Sequence, residues 1–443
     1  GSEMCIRDSN AMNRLESAEE LYYTVFEPRT TKGWSGNLKR YKLGSDGSIL
    51  DKNDEPAVDP NTGYFSDTST SIWTEDADAP DGKDVKVGGA ASHLTTDRNV
   101  FTYAGDTDKL IDDVLIETTD GLLDVVNFVL PSYISQDILG SGLPDDTFKT
   151  MLKWASGIDV DENGNDIARQ AIEDPLHSDP IIISYKESTS TNQTLFFGTN
   201  SGYLHAFNLA TDTPTERFAY IPYELLPNIE VYFNQSNEYG KTYGLDGPLT
   251  SLIYNSDKVD AGLAEYKTFV NSGPKEKANI YAGMRRGGET YYSLDVSDPD
   301  APKHLWQISS TDTGFEELGE TWSEMKPIYV NPKAIGVTGT KGSKATIPVV
   351  VFGGGYDTKE DDTSESSRIN HTEGNAIFIV DALDGTLLWK ASSTVGANLV
   401  LPEMKNSIVS DIKPVDNDGD GDIDILYASD TGCLLYTSPS PRD

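Results

Sequence analysis

The sequence predicts an all-β protein of the β-propeller class with helical insertions between its sheets. Short apolar strands separated by Gly or Asp turns recur along the 443 residues. One hairpin unit also repeats: an apolar strand, a Gly turn, a second strand with an aromatic residue, an Asp/Asn-Gly turn and often a Trp. Its copies span residues 34–47, 195–209, 280–306, 349–389 and 425–432. Such hairpins need neighbouring copies to cover them, as propeller blades do, although spacing alone leaves a sandwich or solenoid open.

Apolar and polar residues alternate within each copy. In the second copy we expect Leu204, Ala206 and Phe207 to face inward, and His205 and Asn208 to face outward. A period of two is typical of a half-buried strand, and the Gly and Asp turns are those of tight hairpins. The copies therefore predict antiparallel sheet.

Helical patterns lie between the copies. Residues 144–157 predict a helix that is capped by Asp145 or Asp146 and ends at Gly157, with its apolar residues on one face. Residues 221–235 predict a second helix that begins near Pro222. The polar stretches 51–84 and 358–374 predict surface loops.

The charge balance excludes several functions. The chain has 72 acidic and 35 basic residues, a formal net charge of −37. Such an excess repels phosphate backbones and anionic lipids, and no apolar stretch is long enough to span a bilayer. We therefore expect no nucleic-acid partner and no direct membrane insertion. Because the first residues lack the pattern of a secretory signal, an export signal would lie outside this chain.

Both termini resemble translated sequencing-adapter read-through. Cys5 lies in GSEMCIRDS and Cys433 in CLLYTSPSPRD, and neither string continues the pattern of its neighbours. We expect residues 1–9 and 433–443 to be non-native and one truncated propeller domain to span residues 10–432. That span has no cysteine, which excludes disulfides, thiolate metal sites and a cysteine nucleophile.

The strongest site pattern is the acidic run VDNDGDGDIDILYASD, residues 415–430. Calcium takes six to eight oxygen ligands, which alternating carboxylates supply when a Gly at the sixth position bends the loop. Tyr427 stands where an EF-hand has Glu, and the flanks Ser407–Lys413 and Ile423–Tyr427 are strand-like. The pattern thus predicts a calcium loop in a β-hairpin. Its ligands are Asp416, Asp418, Asp420, Asp422 (through its carbonyl) and Asp424.

The alternative to this calcium loop is an acidic turn without an ion. Five Asp residues within nine positions would repel one another strongly unless a cation lay among them. A weaker copy of the pattern, with Asp159, Asp161, Asn163 and Gly164 in register, has Ile167 in place of the closing carboxylate. We interpret this copy as a polar turn, and a second ion there stays open.

Three other motifs favour structural roles. DPLHSDP brings Asp174, His177, Ser178 and Asp179 together, but it lacks the glycines of a nucleophile elbow and predicts a turn before a strand at residues 181–185. The remaining histidines lack the spacing of a zinc site. Arg285 and Arg286 lie in a Gly-rich turn without a Walker lysine, and we expect both to pair with nearby carboxylates. Trp306 and Trp389 end two hairpin copies and are expected to fill gaps between sheets.

Five segments together resemble the β-propeller domain of the PilY/PilC family of type IV pilus biogenesis and tip-adhesin proteins. In chain order they are GTNSGYLHAFNLATDTPTERFAYIP, AGMRRGGETYYSLDVSDPDAPKHLW, LGETWSEMKPI, FGGGYD and SDIKPVDNDGDGDIDILYASDTG. The resemblance covers most of residues 16–432. It implies a modified seven-bladed, quinoprotein-like propeller with calcium held by Asp416 to Asp424. We expect the propeller to be incomplete here, because the chain stops where the strand after residues 425–432 should begin.

The resemblance also implies a biological role. Family members are exported to the cell surface, pilus tip or outer membrane of Gram-negative-type bacteria. They work with pilins and minor pilins, support pilus extension against retraction, and promote twitching motility and adhesion to host or abiotic surfaces. Calcium occupancy in the family tunes the balance between extension and retraction.

Two alternatives to the pilus interpretation remain. One is a calcium-dependent cell-surface adhesin outside the pilus system. The other is a quinoprotein dehydrogenase, because those enzymes share the blade pattern and hold a quinone with calcium inside the propeller. They commonly carry an adjacent-cysteine disulfide that this chain cannot form, so the sequence favours a protein that is not an enzyme.

Overall fold

Strands make up most of the regular structure in this computed structural model. It describes residues 20–438 except 77–78, 104–143, 187–190, 212, 235–237, 265–266, 272, 274 and 363–370. The chain divides into two compact units, residues 1–245 and 246–443. Within the described ranges, no helix is both long and apolar enough to cross a membrane. The high strand content agrees with the all-β class that the sequence predicts.

The first unit contains eleven described strands and two described α-helices. The strands are β1 (Glu20–Glu27), β2 (Ser35–Leu43), β3 (Ile49–Leu50), β4 (Val100–Tyr103), β5 (Ile158–Val160), β6 (Asp166–Ala168), β7 (Ile172–Glu173), β8 (Ile181–Lys186), β9 (Thr191–Gly198), β10 (Leu204–Asn208) and β11 (Thr215–Pro222). The helices are α1 (Asp145–Ala155) and α2 (Asn228–Phe233).

Hydrogen bonding joins most of these strands in antiparallel order. β1 pairs with β2 from Glu20 opposite Lys42 to Glu27 opposite Ser35, and β3 and β7 also pair with β2. β8, β9, β10, β11 and β4 lie side by side in that order, and only the last of these pairs is parallel. β5 and β6 form a separate hairpin. The antiparallel prediction is thus confirmed for the hairpin copies of this unit.

The second unit is also built from antiparallel hairpins. Its described strands are β12 (Leu249–Asn255), β13 (Phe269–Asn271), β14 (Glu276–Gly283), β15 (Thr290–Asp295), β16 (Lys303–Ser309), β17 (Lys326–Val330), β18 (Ile347–Gly354), β19 (Gly374–Asp381), β20 (Leu387–Ser392), β21 (Leu399–Val400), β22 (Lys413–Val415), β23 (Ile425–Ser429) and β24 (Leu435–Ser438). Its short helices are α3 (Ser256–Asp260) and α4 (Gly339–Gly342). Three of its sheets run in the orders β12-β14-β15-β16, β17-β18-β19-β20-β21 and β22-β23-β24.

Aromatic and aliphatic residues from these sheets form the core of the second unit. Phe352 and Phe378 are fully buried, with their ring centroids 5.5 Å apart. Trp306 is 6% exposed, and its indole N–H donates to the carbonyl of Ala382 at 3.3 Å. Trp389 is half-buried against a second apolar cluster. Both tryptophans therefore pack against core clusters, as predicted.

Two sequence predictions about the first unit are wrong. His205 is not on an outward face, because its side chain is 1% exposed and both faces of β10 are covered. α1 is not capped by an Asp: Pro144 is the cap residue, and Asp145 begins the helix. A cap residue must take a non-helical backbone, and Pro144, at φ −59° and ψ 144°, already does so.

The polar stretch 51–84 is more than a surface loop. Phe65 and Trp73 are buried in the apolar clusters beside β1 and β2. Lys39 of β2 places Nζ 2.7 Å from Asp81 Oδ2, and both side chains are buried. Buried aromatic side chains and a buried ion pair therefore hold this stretch against the sheet. The polar composition of the stretch does not predict these contacts. Residues 363–370 of the other predicted loop lie outside the described part of the chain.

The terminal segments differ in what the structure describes. Residues 1–9, predicted to be non-native, lie outside the described ranges. In the segment 433–443, residues 435–438 form β24, which pairs antiparallel with β23. The domain boundaries at residues 10 and 432 stay a prediction.

Candidate metal centre

The acidic loop connects two paired strands, as the sequence predicts. β22 and β23 are antiparallel, with Lys413 opposite Tyr427 and Val415 opposite Ile425. The loop therefore occupies residues 416–424. The strand before it is shorter than expected, because its ladder with β23 begins only at Lys413; Ile408 and Ile412, which precede this strand, are fully buried in the core.

Three carboxylates converge on this loop. Asp416, Asp418 and Asp420 each offer an oxygen, and these oxygens lie within 4.8 Å of one another. Gly419 and Gly421 have φ of 78° and 93°, a left-handed conformation that side chains other than Gly rarely adopt. A Cβ at either glycine would meet no atom within 4 Å. These two positions therefore require glycine because of their backbone conformation, and not because a larger side chain would lack room.

Hydrogen bonds to the aspartates hold the loop curled. Asp416 accepts the backbone N–H groups of Gly419 at 2.7 Å and Gly421 at 2.9 Å. Asp424 accepts the N–H of Asn417 at 2.9 Å, across the mouth of the loop. The backbone between the first and last aspartates is thus already folded back on itself.

Asp422 attaches the loop to the neighbouring sheet. Its carboxylate accepts the hydroxyl of Thr346 at 2.5 Å, and Thr346 directly precedes β18. The N–H of Ile423 donates to the carbonyl of Tyr329 in β17 at 2.9 Å. The side chain of Asp422 therefore has a structural partner, and the use of its backbone carbonyl as a metal ligand stays a prediction. Sequence reasoning missed Thr346, because nothing in the local pattern of residue 346 points to residue 422.

The donor set suits a hard dication. Every side-chain donor in the cluster is a carboxylate oxygen, and calcium and magnesium prefer oxygen ligands. Flexible coordination by carboxylates and a carbonyl on a Gly-bent loop is typical of calcium. The residues present therefore fit the ion that the sequence predicts. The assignment of all five aspartates as calcium ligands stays a prediction.

The weaker acidic turn uses its aspartate internally. Asp161 accepts the N–H groups of Asn163 and Asn165, both at 2.8 Å, and the side-chain amide of Asn165 at 3.0 Å. Hydrogen bonds from Asn165 hold the pKa of Asp161 below its ordinary value. These contacts close the turn between β5 and β6, in keeping with the expected polar turn.

The residues of DPLHSDP build a buried junction. Ser178 Oγ accepts the N–H of Gly198 at 2.7 Å. Asp174 accepts Lys241 Nζ at 2.7 Å and the amide of Asn200 at 2.6 Å. β8 follows at Ile181, as predicted. The motif therefore serves a structural role.

Arg285 and Arg286 both lie beside an indole ring that sequence reasoning did not connect to them. Their guanidinium carbons are 4.4 and 5.0 Å from the ring centroid of Trp322. Arg285 has a φ of 51°, and its N–H donates to the hydroxyl of Thr321 at 3.1 Å. Cation–π contact with Trp322 thus adds to the electrostatic contacts expected from the surrounding acids.

The family model described as the PilY1 beta-propeller domain matches residues 170–438. That range is more than half of the chain and includes the whole acidic loop. The chain belongs to this family. The PilY1 β-propeller match confirms the resemblance found in the sequence and selects the propeller over the sandwich and solenoid alternatives. The match also includes residues 433–438.

Two curated relatives carry the same family name. A type IV pilus biogenesis factor PilY1 homolog of Xylella fastidiosa is 28% identical over 255 residues, covering 56% of this chain and 14% of that protein. The type IV pilus biogenesis factor PilY1 of Pseudomonas aeruginosa is 27% identical over 258 residues, covering 55% of this chain and 17% of that protein. This chain thus spans less than a fifth of the length of either relative.

Among solved structures, the chain is similar to the crystal structure of the Pseudomonas aeruginosa PilY1 C-terminal domain. The identity is 22% and the TM-score 0.33, and the match covers 55% of this chain and 38% of that one.

Proposed function

We propose that this chain is the calcium-binding β-propeller of an exported type IV pilus assembly or tip-associated protein. The observation that supports this most is the convergence of Asp416, Asp418 and Asp420 within a PilY1 β-propeller match. The curated relatives are named as pilus biogenesis factors, which supports a role in the pilus system and a protein that is not an enzyme. Its partners are then pilins and minor pilins, with host or abiotic surfaces as adhesion targets.

The calcium site uses the residues of one loop. The carboxylates of Asp416, Asp418, Asp420 and Asp424 and the carbonyl of Asp422 would hold the ion, which supplies positive charge among crowded acids. The protein contributes the curled backbone, through N–H groups donated to Asp416 and Asp424. It also contributes two attachments to β17 and β18, at Tyr329 and Thr346. Binding of the ion orders this loop by neutralising its charge, and the two attachments transmit that ordering to the neighbouring sheet.

In the pilus, such a domain supports extension against retraction, and with it twitching motility and surface adhesion. The loop attachments suggest how the ion contributes, because a rigid loop presents a constant surface to a partner. Without the ion, repulsion among the aspartates loosens that surface. Deleting the full-length gene should abolish twitching, and an Asp420→Ala allele should alter the amount of surface pilus.

Isothermal titration calorimetry tests the calcium site directly. Asp420→Ala and Asp424→Ala are each expected to abolish measurable calcium binding, since each removes a charged ligand. Asp298→Ala, at an exposed turn outside the loop, is the matched control and should bind as the wild type does. Unchanged affinity in both loop variants would contradict the site assignment.

The attachment at Thr346 gives a second prediction. Thr346→Val keeps the shape of the side chain but removes the hydroxyl that bonds Asp422, and it is expected to weaken calcium binding by about tenfold. Thr346→Ser restores the hydroxyl and should restore the affinity. A Val variant with wild-type affinity would show that the attachment does not position the loop.

Two further experiments separate this proposal from its alternatives. The unbroken reading frame should lie beside minor pilin genes, whereas their absence would favour an adhesin outside the pilus system. Reconstitution with a quinone cofactor and calcium should give no alcohol oxidation. Calcium-dependent turnover in that assay would overturn the non-enzymatic assignment.

A further inference from the structure

The first unit contains a cleft that the calcium proposal does not use. Its volume is about 690 Å³, within the range of about 300–1,000 Å³ typical of small-molecule sites. The lining residues come from the β1–β2 loop, α1, the β5–β7 region and α2. Lys86 and Ala91, which lie between β3 and β4, complete the lining.

Three aromatic side chains form walls of this cleft, and packing holds them in place. Trp34 donates its indole N–H to the carbonyl of Thr31 at 3.1 Å and lies nearly parallel to Phe26 at a centroid distance of 6.1 Å. Trp154 meets Phe233 edge to face at 5.9 Å. Tyr232, the third wall, is 7% exposed. The walls are therefore formed before any ligand arrives, which lowers the entropic cost of binding.

A buried ion pair contributes to the lining. Arg169 lies 4.0 Å from the ring centroid of Trp154, donates Nε–H to the carbonyl of Trp154 and pairs with Glu173 at 2.5 Å. Both members of the pair are about 6% exposed. Glu173 also accepts the hydroxyl of Ser201 at 3.1 Å. The pair thus offers N–H donors and carboxylate oxygens in fixed positions.

The charges around the cleft are nearly balanced, in contrast to the chain's net charge of −37. Arg169 is neutralised by Glu173. Arg29 and Lys86, which also line the cleft, both face Glu27, at 2.7 and 3.7 Å. A charged ligand would therefore gain little from these cations. A neutral ligand with many hydroxyl groups can use both the donors and the acceptors.

We propose that this cleft binds a short neutral oligosaccharide. A sugar ring presents apolar C–H faces and hydroxyls that both donate and accept, which matches aromatic walls interleaved with Arg, Gln, Asp and Thr side chains. Asp159 and Gln170 are exposed at the cleft, and Arg169 and Glu173 lie in its buried part. Asp159 accepts the N–H of Val160 through Oδ1, and Gln170 donates Nε2–H to the carbonyl of Ser92, so their second carboxylate oxygen and amide oxygen are the atoms suited to hold hydroxyls. The assignment is independent of the acidic loop and needs no calcium.

The test uses the full chain and three named trisaccharides. Calorimetric or NMR titration with chitotriose and maltotriose, both neutral, is expected to show saturable binding of at least one, in EDTA as well as in calcium. Trigalacturonate, which is acidic, should bind more weakly. Failure of both neutral sugars to bind, or binding of trigalacturonate alone, would overturn the proposal.

Surface variants locate the binding to the cleft. Asp159→Asn and Gln170→Ala are each expected to weaken binding by about tenfold, because each alters one hydrogen-bonding group at an exposed position. Asp166→Asn is the matched control, since Asp166 lies on the partner strand of the same hairpin but does not line the cleft. Equal affinity in all three variants would place the sugar elsewhere and overturn the proposal.

Discussion

Glu216→Gln is expected to lower the free energy of unfolding of the first unit by about 3–5 kcal/mol, the cost typical of breaking a buried ion pair. Glu216 accepts Arg98 through two nitrogens, at 2.5 and 3.0 Å, and His205 Nδ1 lies 2.7 Å from the same carboxylate. All three side chains are at most 3% exposed. Gln fills the same space but removes the only charge that is hydrogen-bonded to buried Arg98 among the described residues, which leaves the more distant Glu173 as its counter-ion.

Urea unfolding followed by tryptophan fluorescence measures this effect. Glu238→Gln is the matched control, because Glu238 pairs with Lys32 on the surface and is 69% exposed. Exposed pairs contribute about 0–1 kcal/mol, so the control should unfold almost as the wild type does. A loss below about 1 kcal/mol in Glu216→Gln would show that the buried network does not stabilise this unit.

The same network predicts a dependence on pH. Burial alone would raise the pKa of Glu216, but the charge of Arg98 and the hydrogen bond from His205 outweigh it and lower the pKa from 4.5 to about 2. A depressed pKa gives stability that is fully present above the unfolded value and is lost as the pH falls from about 4.5 to 2. Glu216→Gln has no carboxyl group to titrate at this position. The difference in the free energy of unfolding between the wild type and the variant should therefore become smaller as the pH falls through that interval.

Calcium is expected to stabilise the second unit by about 2.7 kcal/mol when its free concentration is a hundred times the dissociation constant. The gain arises because the ion binds the folded loop and not the unfolded chain. Asp416→Asn should remove it. Asn keeps one oxygen, which can accept the N–H of Gly419, but its amide NH₂ replaces the oxygen that accepts the N–H of Gly421, so this variant removes the charge and one of the two backbone hydrogen bonds.

Thermal unfolding in EDTA and in calcium provides the measurement. The wild type should have a higher melting temperature in calcium than in EDTA, whereas Asp416→Asn should have the same melting temperature in both solutions. In EDTA the variant should differ from the wild type by no more than about 1 kcal/mol, because the relief of repulsion with Asp418 and Asp420 offsets the hydrogen bond lost from Gly421. A calcium-dependent shift of equal size in both proteins would contradict the assignment of Asp416 as a ligand.

The sequence predicted the parts of the fold that local pattern determines. The hairpin copies at residues 195–209 and 280–306 appear as β9–β10 and β14–β16, because strand alternation and turn glycines act over a few residues. The acidic loop was predicted for the same reason. Its aspartates, its glycines of positive φ and its strand flanks are all close in sequence.

Predictions failed where distant segments meet. His205 is polar and is predicted to face outward, but its ring bonds Glu216, which also accepts Arg98 from more than a hundred residues away in the sequence. Residues 51–84 look like a surface loop, yet Trp73 is buried and Asp81 pairs with Lys39. In both cases a charged partner elsewhere compensates the cost of burying a polar group, and composition does not reveal that partner.

The sequence by itself determined the β class of this protein, its hairpin copies, its acidic loop and its family. Only the tertiary structure decided that Thr346 and Tyr329 hold that loop to β17 and β18, and that Trp34, Trp154 and Tyr232 meet around one cleft. The physical reason is the range of the interactions. Backbone conformation and side-chain alternation are set by adjacent residues, whereas buried hydrogen bonds, ion pairs and cleft walls join residues that only the folded chain brings together.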